Sequence, residues 1–144
     1  MSGCSGPASP RRFLLVLILV GAVAALLAAC AAGEPSLRLD QTELDLGQIV
    51  NGEVRTFEVA LLNQGSGDLV VEGISTSCGC TSAQVIPTML EAGGRGVLEV
   101  TFDSGAHGPE ELGPVMRQVF IASNDPDQPE VEFRFSADIL PPGS

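Results

Sequence analysis

The sequence predicts an all-β chain, a two-sheet β-sandwich of seven to eight strands preceded by a signal peptide. Three observations carry this reading. Beyond Leu37, apolar residues recur at every second position in short runs, the period of a strand with one buried face, and no helical period is sustained. Turn residues separate these runs at intervals of about 10 residues, the spacing of a two-sheet sandwich. Upstream of Cys30 lie a basic head, an apolar middle and a small-residue exit, the parts of a secretory leader.

The leader comes first in the chain. Arg11 and Arg12 precede an apolar stretch from Phe13 to Ala29, which ends in Leu26-Leu27-Ala28-Ala29-Cys30. Leu27-Ala28-Ala29-Cys30 resembles a bacterial lipobox, in which the cysteine is lipidated and the chain is cut just before it. Residues 1–29 are therefore expected to be a lipoprotein signal peptide and Cys30 the lipidation site. Residues 30–36 would form a short tether, 37–140 the sandwich and 141–144 a tail. An uncleaved membrane anchor is the competing reading. The apolar run is about 17 residues long, at the bottom of the spanning range, and its second half is mostly Ala. No basic stop-transfer cluster follows it. Ser9 and Phe13 are wrongly spaced around the arginine pair for a twin-arginine signal, so general secretion is expected.

Loss of the leader leaves five arginines against 18 acids, a net charge of −13, with no lysine anywhere. Such a surface repels phosphate backbones and anionic head groups, which excludes nucleic acid as a partner. The expected partners are a membrane, reached through the N-terminal lipid, and another envelope protein. No small-molecule substrate is evident. The expected location is the cell membrane or outer membrane, facing away from the cytoplasm, and Ala31 after the lipid site is compatible with outer-membrane sorting.

Each strand has its own signal. Leu37 and Leu39, then Leu44 and Leu46, predict a first edge strand broken near Asp40-Gln41. Phe57, Val59 and Leu61 alternate with Thr56, Glu58 and Ala60, and Asn63-Gln64-Gly65-Ser66-Gly67-Asp68 turns the chain. Leu69 to Ile74 is mainly β-branched, and Ala83-Gln84-Val85-Ile86 follows the cysteine segment. Leu98, Val100 and Phe102 alternate with Val97, Glu99 and Thr101, behind a loop marked by Pro87 and Gly93-Gly94. Val115, Val119 and Ile121, then Val131, Phe133 and Phe135, complete the expected core.

Leu44-Asp45-Leu46-Gly47-Gln48-Ile49-Val50-Asn51-Gly52, Asn63-Gln64-Gly65, Cys78-Gly79-Cys80-Thr81 and Ser123-Asn124-Asp125-Pro126 together resemble the bacterial family called domain of unknown function 1573. That family is similar to ASH/hydin-like immunoglobulin folds. The resemblance covers about residues 37 to 139, with Cys-Gly-Cys-Thr its most specific element. It implies an extracytoplasmic β-sandwich, often lipid-anchored, and no established activity.

Of four cysteines, Cys4 lies in the leader and Cys30 is the expected lipid site, so Cys78 and Cys80 remain for chemistry outside the cytoplasm. Three readings stay open. The pair forms a small disulfide ring suited to redox exchange. Alternatively two thiolates bind Cu(I) or Zn(II), or both cysteines are small side chains at a strand end. In an immunoglobulin-like topology the loop between Phe102 and Val115 shares the cysteines' pole. It carries His107, the chain's single histidine, with Glu110 and Glu111, and Met116 is a conceivable fourth ligand. Met89 is expected at the opposite pole. Asn124-Asp125-Pro126-Asp127 lacks the spaced acids of a calcium loop and reads as an Asx turn.

Enzyme classes are disfavoured. One histidine and no Lys, Tyr or Trp leave few general bases, and no nucleophile elbow or phosphate loop occurs. Gly93-Gly94-Arg95-Gly96 leads into a strand, without a helix to hold phosphate. The expected function is thus a non-catalytic, lipid-anchored binding or structural module without cofactor. The alternative is a metal-handling (Cu or Zn) or thiol-redox accessory protein that uses Cys78, Cys80 and His107.

Overall fold

The computed structural model describes residues 33–143. The signal peptide, Cys30 with its lipobox, the start of the tether and Ser144 lie outside the described residues. Nine strands follow in order: β1 Leu37–Leu39, β2 Glu43–Val50, β3 Val54–Asn63, β4 Leu69–Thr76, β5 Thr81–Ile86, β6 Met89–Leu90, β7 Arg95–Asp103, β8 Gly113–Ser123 and β9 Glu130–Leu140. They form two sheets, ordered β1-β3-β7-β5 and β2-β9-β8-β4-β6. This is the expected all-β, immunoglobulin-like sandwich.

The period of two places the core. Along β3, Val59 and Leu61 are buried while Glu58 is exposed, and along β7 Leu98, Val100 and Phe102 are all sealed. Val119, Ile121, Phe133 and Phe135 meet them from the other sheet. The centre is aromatic: Phe135 packs edge-on against Phe57 and Phe102, with ring centroids 5.3 and 5.2 Å apart.

Two details differ from the expected strand set. The first apolar pair and the second do not share one broken edge strand. Leu37–Leu39 pairs antiparallel with β3, whereas Glu43–Val50 joins the opposite sheet, parallel to β9. Asp40 makes the break: its N–H donates to Ala60 O at 3.0 Å and its Oδ1 accepts from Ala60 N–H at 3.1 Å, ending β1 before the chain crosses. The strand additional to the expected set is the two-residue β6, which pairs with Leu69 and Val70 of β4 and is too short to leave a periodic signal.

Buried polar side chains fix the ends. Asn63, 1% exposed, donates through Nδ2 to the carbonyls of Gly67, Leu90 and Glu91 and accepts at Oδ1 from Ser36 and Gly65 N–H. The Asn63-Gln64-Gly65 segment is therefore an anchoring knot as well as a turn. Asp125 accepts from Leu37 N–H at 2.8 Å, and through its other oxygen from Asp127 and Gln128 N–H at 2.9 and 3.1 Å. That is the Asx turn expected of Asn124-Asp125-Pro126-Asp127, with the added task of tying down β1. Burial pushes the Asp125 carboxyl up, but the three backbone donors and the Arg38 charge outweigh it and hold the group below its ordinary value.

Candidate functional site

Two connections that cross between the sheets meet at one pole. Residues 77–80 carry the chain from β4 to β5, and residues 104–112 carry it from β7 to β8. The sheet register brings them together, because Thr81 opposes Phe102 and Thr76 opposes Val119. Asp103 N–H then donates to Cys80 O at 2.9 Å and Ser77 N–H to Gln118 O at 3.0 Å, so the cysteine turn is stitched to both sheets. Thr76 Oγ1 braces it from within, donating towards the carbonyls of Cys78 and Thr81.

The histidine loop is held as firmly. Asn51 Nδ2 reaches the carbonyls of Ser104, Gly108 and Glu111 at 3.4, 3.0 and 3.2 Å. Fully buried Ser104 donates from Oγ towards Val50 O and Glu53 O, both 2.9 Å away. Gly52 turns the chain with φ +91°, and its Cα lies 2.8 Å from where a Cβ on Gly105 would stand, so the two loops touch through glycine backbone. The Val50-Asn51-Gly52 motif thereby sets the position of His107.

Cys78 and Cys80 are joined by a disulfide. Their sulfurs and the His107 imidazole lie within 4.8 Å of one another, the juxtaposition the topology predicted. Cys78 is half-buried, Cys80 is buried, and His107 and Gly79 are exposed. His107 Nε2 is 2.9 Å from Cys78 Sγ. With both sulfurs bonded, only the imidazole has a proton to give, so this contact requires the Nε2–H form.

One residue at the site escaped the sequence reading. Arg117 donates from Nε to Cys80 Sγ at 3.2 Å, and its far end pairs with Glu111 at 2.5 Å. Its neighbour Met116 does not join. Successive strand residues point to opposite faces, and Met116 stands 63% exposed on the outer face beside Glu43, Leu44 and Arg134. The place conceivable for a fourth soft ligand is therefore taken at this pole by a cation. Arg117 was legible only through that alternation, as the inward partner of an outward Met116. Met89 lies on β6 against Val70 and takes no part. Glu111 serves the site through Arg117, while Glu110 is exposed. Cys30 lies outside the described residues.

In solved structures the sandwich is similar to the ASH/PapD-like domain of human CEP192 (PapD-like domain 7), at 14% identity and TM-score 0.55, covering 73% of this chain and 85% of that one. The VesB protease of Vibrio cholerae contains a similar fold (14% identity, TM-score 0.56), over 73% of this chain and 32% of the protease. A protein of unknown function from Porphyromonas gingivalis W83 is similar at 26% identity and TM-score 0.68, over 75% of this chain. The match spans 48% of that protein's own length. No curated relative matches the chain. The chain belongs to the family described as protein of unknown function (DUF1573), whose model matches residues 37–139.

Proposed function

We propose that the protein is a lipid-tethered, extracytoplasmic β-sandwich that acts as a non-catalytic binding or structural module in the cell envelope. The observation that carries this reading is the rigid pole: two crossover loops, pinned by Asn51, Ser104 and Thr76, presented at one end of a PapD-like sandwich. Exposed Val54 and Leu112 flank it and offer a partner apolar contact. The −13 charge of the processed chain keeps the domain off anionic lipid while the acyl group on Cys30 holds it nearby. The test is fractionation of cells expressing the full chain and its Cys30→Ala variant. The wild type should sediment with membranes and label with fatty acid, and the variant should be unlabelled. Leader-bearing, unlipidated wild type in the cytosol would sink the proposal.

A second reading is favoured by the cluster of Cys78, Cys80 and His107, the one metal-capable group of its kind among the described residues. Here the protein is a thiol-redox or copper- or zinc-handling accessory. Metal analysis of reduced protein tests the metal branch. Stoichiometric copper or zinc lost in a Cys78→Ser, Cys80→Ser variant supports it, and metal-free reduced protein rejects it.

A further inference from the structure

The two sulfurs are surrounded by more hydrogen-bond donors than a disulfide can use. Cys78 Sγ faces His107 Nε2–H at 2.9 Å and Cys80 N–H at 3.0 Å. Cys80 Sγ faces Arg117 Nε–H at 3.2 Å and the Thr81 hydroxyl at 3.6 Å. A neutral disulfide sulfur is a weak acceptor, so four donors, one of them a guanidinium, gain little from it. Around thiolates the same donors become charge-assisted and much stronger. Such a donor set suits the reduced pair better than the oxidised one.

We propose that Cys78 and Cys80 are a thiol–disulfide couple that accepts two electrons from a protein or peptide dithiol, with Cys78 the sulfur attacked and Cys80 the leaving thiolate. Access and charge divide the roles. Cys78 is partly exposed beside Gly79, above which a Cβ would meet nothing within 4 Å. Cys80 is 3% exposed and cannot be approached, but it has the cation that a departing thiolate needs. Glu111 fixes Arg117 from the far side.

The exchange balances in two steps. A thiolate of the partner attacks Cys78 Sγ, the Cys78–Cys80 bond breaks, and its electron pair stays on Cys80 Sγ beside Arg117. The partner's second thiolate attacks its own sulfur in the mixed disulfide, and that bond's electron pair passes to Cys78 Sγ. Of the two protons the partner gives up, one is taken by His107, whose imidazolium passes it to Cys78, and one goes to solvent. The partner leaves as a disulfide, and the module holds a thiol at Cys78 and a thiolate at Cys80.

This inference deepens the redox branch of the second reading and is independent of the lipid tether, so failure of either leaves the other standing. The test equilibrates the purified full chain with dithiothreitol redox buffers, then maps acid-quenched alkylation to the Cys78–Cys80 peptide. The expected result is full, reversible reduction. Arg117→Met should shift the exchange constant about tenfold towards the disulfide, one pKa unit's worth of lost thiolate stabilisation, or about 30 mV for two electrons. Arg117→Lys should recover most of it. Because Arg117→Met strands Glu111, the double variant Arg117→Met, Glu111→Gln is measured beside it, with the oxidised-state Tm as the folding control. In single-cysteine variants, Cys78 should trap a disulfide probe at least about tenfold faster than Cys80, given its exposure. An exchange constant within twofold of wild type in both Arg117→Met and the double variant Arg117→Met, Glu111→Gln would overturn the proposal. So would a pair that resists dithiol, or reduced protein that takes up stoichiometric added zinc or Cu(I) and no longer reoxidises.

Discussion

Asp125→Asn changes one oxygen to an NH2 group, at a carboxylate that is 2% exposed and accepts three backbone N–H groups. The carboxamide has no good orientation. With its oxygen towards Leu37 N–H, the NH2 confronts the N–H groups of Asp127 and Gln128; turned over, it confronts Leu37. One or two hydrogen bonds to a charged acceptor, each worth about 1.5–3 kcal/mol net, are lost, and a buried donor is left without a partner. Partial relaxation brings the expected cost to about 2–4 kcal/mol, a large share of the roughly 5–15 kcal/mol that keeps a domain folded. Urea unfolding of the oxidised protein at neutral pH measures it, and hydrogen exchange at Leu37 should show β1 opening first. The effect should also depend on pH. Asp125 is held below the ordinary aspartate value of 3.8, so its ionised form stabilises the fold above that value, and the contribution drains away as pH falls through the lower folded value. Wild-type stability should therefore decline below about pH 4 while the variant lacks this component, and the gap between them should narrow in acid. A variant within about 0.5 kcal/mol of wild type at neutral pH, or a gap that persists in acid, would refute the reasoning.

Other consequences are as direct. Asn63→Ala removes the hub of five backbone contacts and should cost about 2–4 kcal/mol in urea unfolding, at about 0.5–1.5 kcal/mol per lost bond after relaxation. Asn51→Ala should cost about 1–3 kcal/mol and also free the loop that carries His107, read as loss of the His107 imidazole's response to the Cys78 redox state by NMR. Cys78→Ser with Cys80→Ser should leave the sandwich folded and lower its stability by no more than about 1.5 kcal/mol, because a cross-link two residues apart restrains the unfolded chain little.

What was legible in the sequence follows physical range. Period-two alternation reports which side of a strand is wet, and it marked Val59, Leu61, Leu98, Val100, Phe102, Phe133 and Phe135 as core, as they are. The meeting of Cys78, Cys80 and His107 was legible because an immunoglobulin-like strand order fixes which loops share a pole, and the register of β5 on β7 delivers it. Which sheet each short segment joins was not. Leu37–Leu39 and Glu43–Val50 carry the same alternation, and only the contact of Asp40 with Ala60, 20 residues away, separates them. Asn63 and Asp125 read as turn residues because their type favours turns; their long-range partners at Leu90 and Leu37 leave no local trace. Met116 was weighed and Arg117 passed over for a similar reason, since ligand chemistry favoured the methionine while the pleat decided which side chain faces the sulfurs.

The balance of forces separates the pole from the scaffold. The scaffold rests on an aromatic and aliphatic core, in which Phe57 packs on Phe133 and Phe135 and Phe102 packs on Phe135, and on buried Asn63, Ser104 and Asp125, each with several backbone partners. Against these the Cys78–Cys80 ring offers at most about 1.5 kcal/mol of chain restraint. Yet the chain commits Asn51, Ser104 and Thr76 to holding the two loops in register, and places the guanidinium of Arg117 and the imidazole of His107 on the two sulfurs. An arginine side chain that is only 14% exposed loses hydration to sit there, and its pairing with Glu111 recovers part of that loss without involving sulfur. Contact with a neutral disulfide recovers little of the remainder, whereas contact with a thiolate recovers much more. The placement of Arg117 is therefore better explained by the reduced state of Cys80 than by the bond now in place.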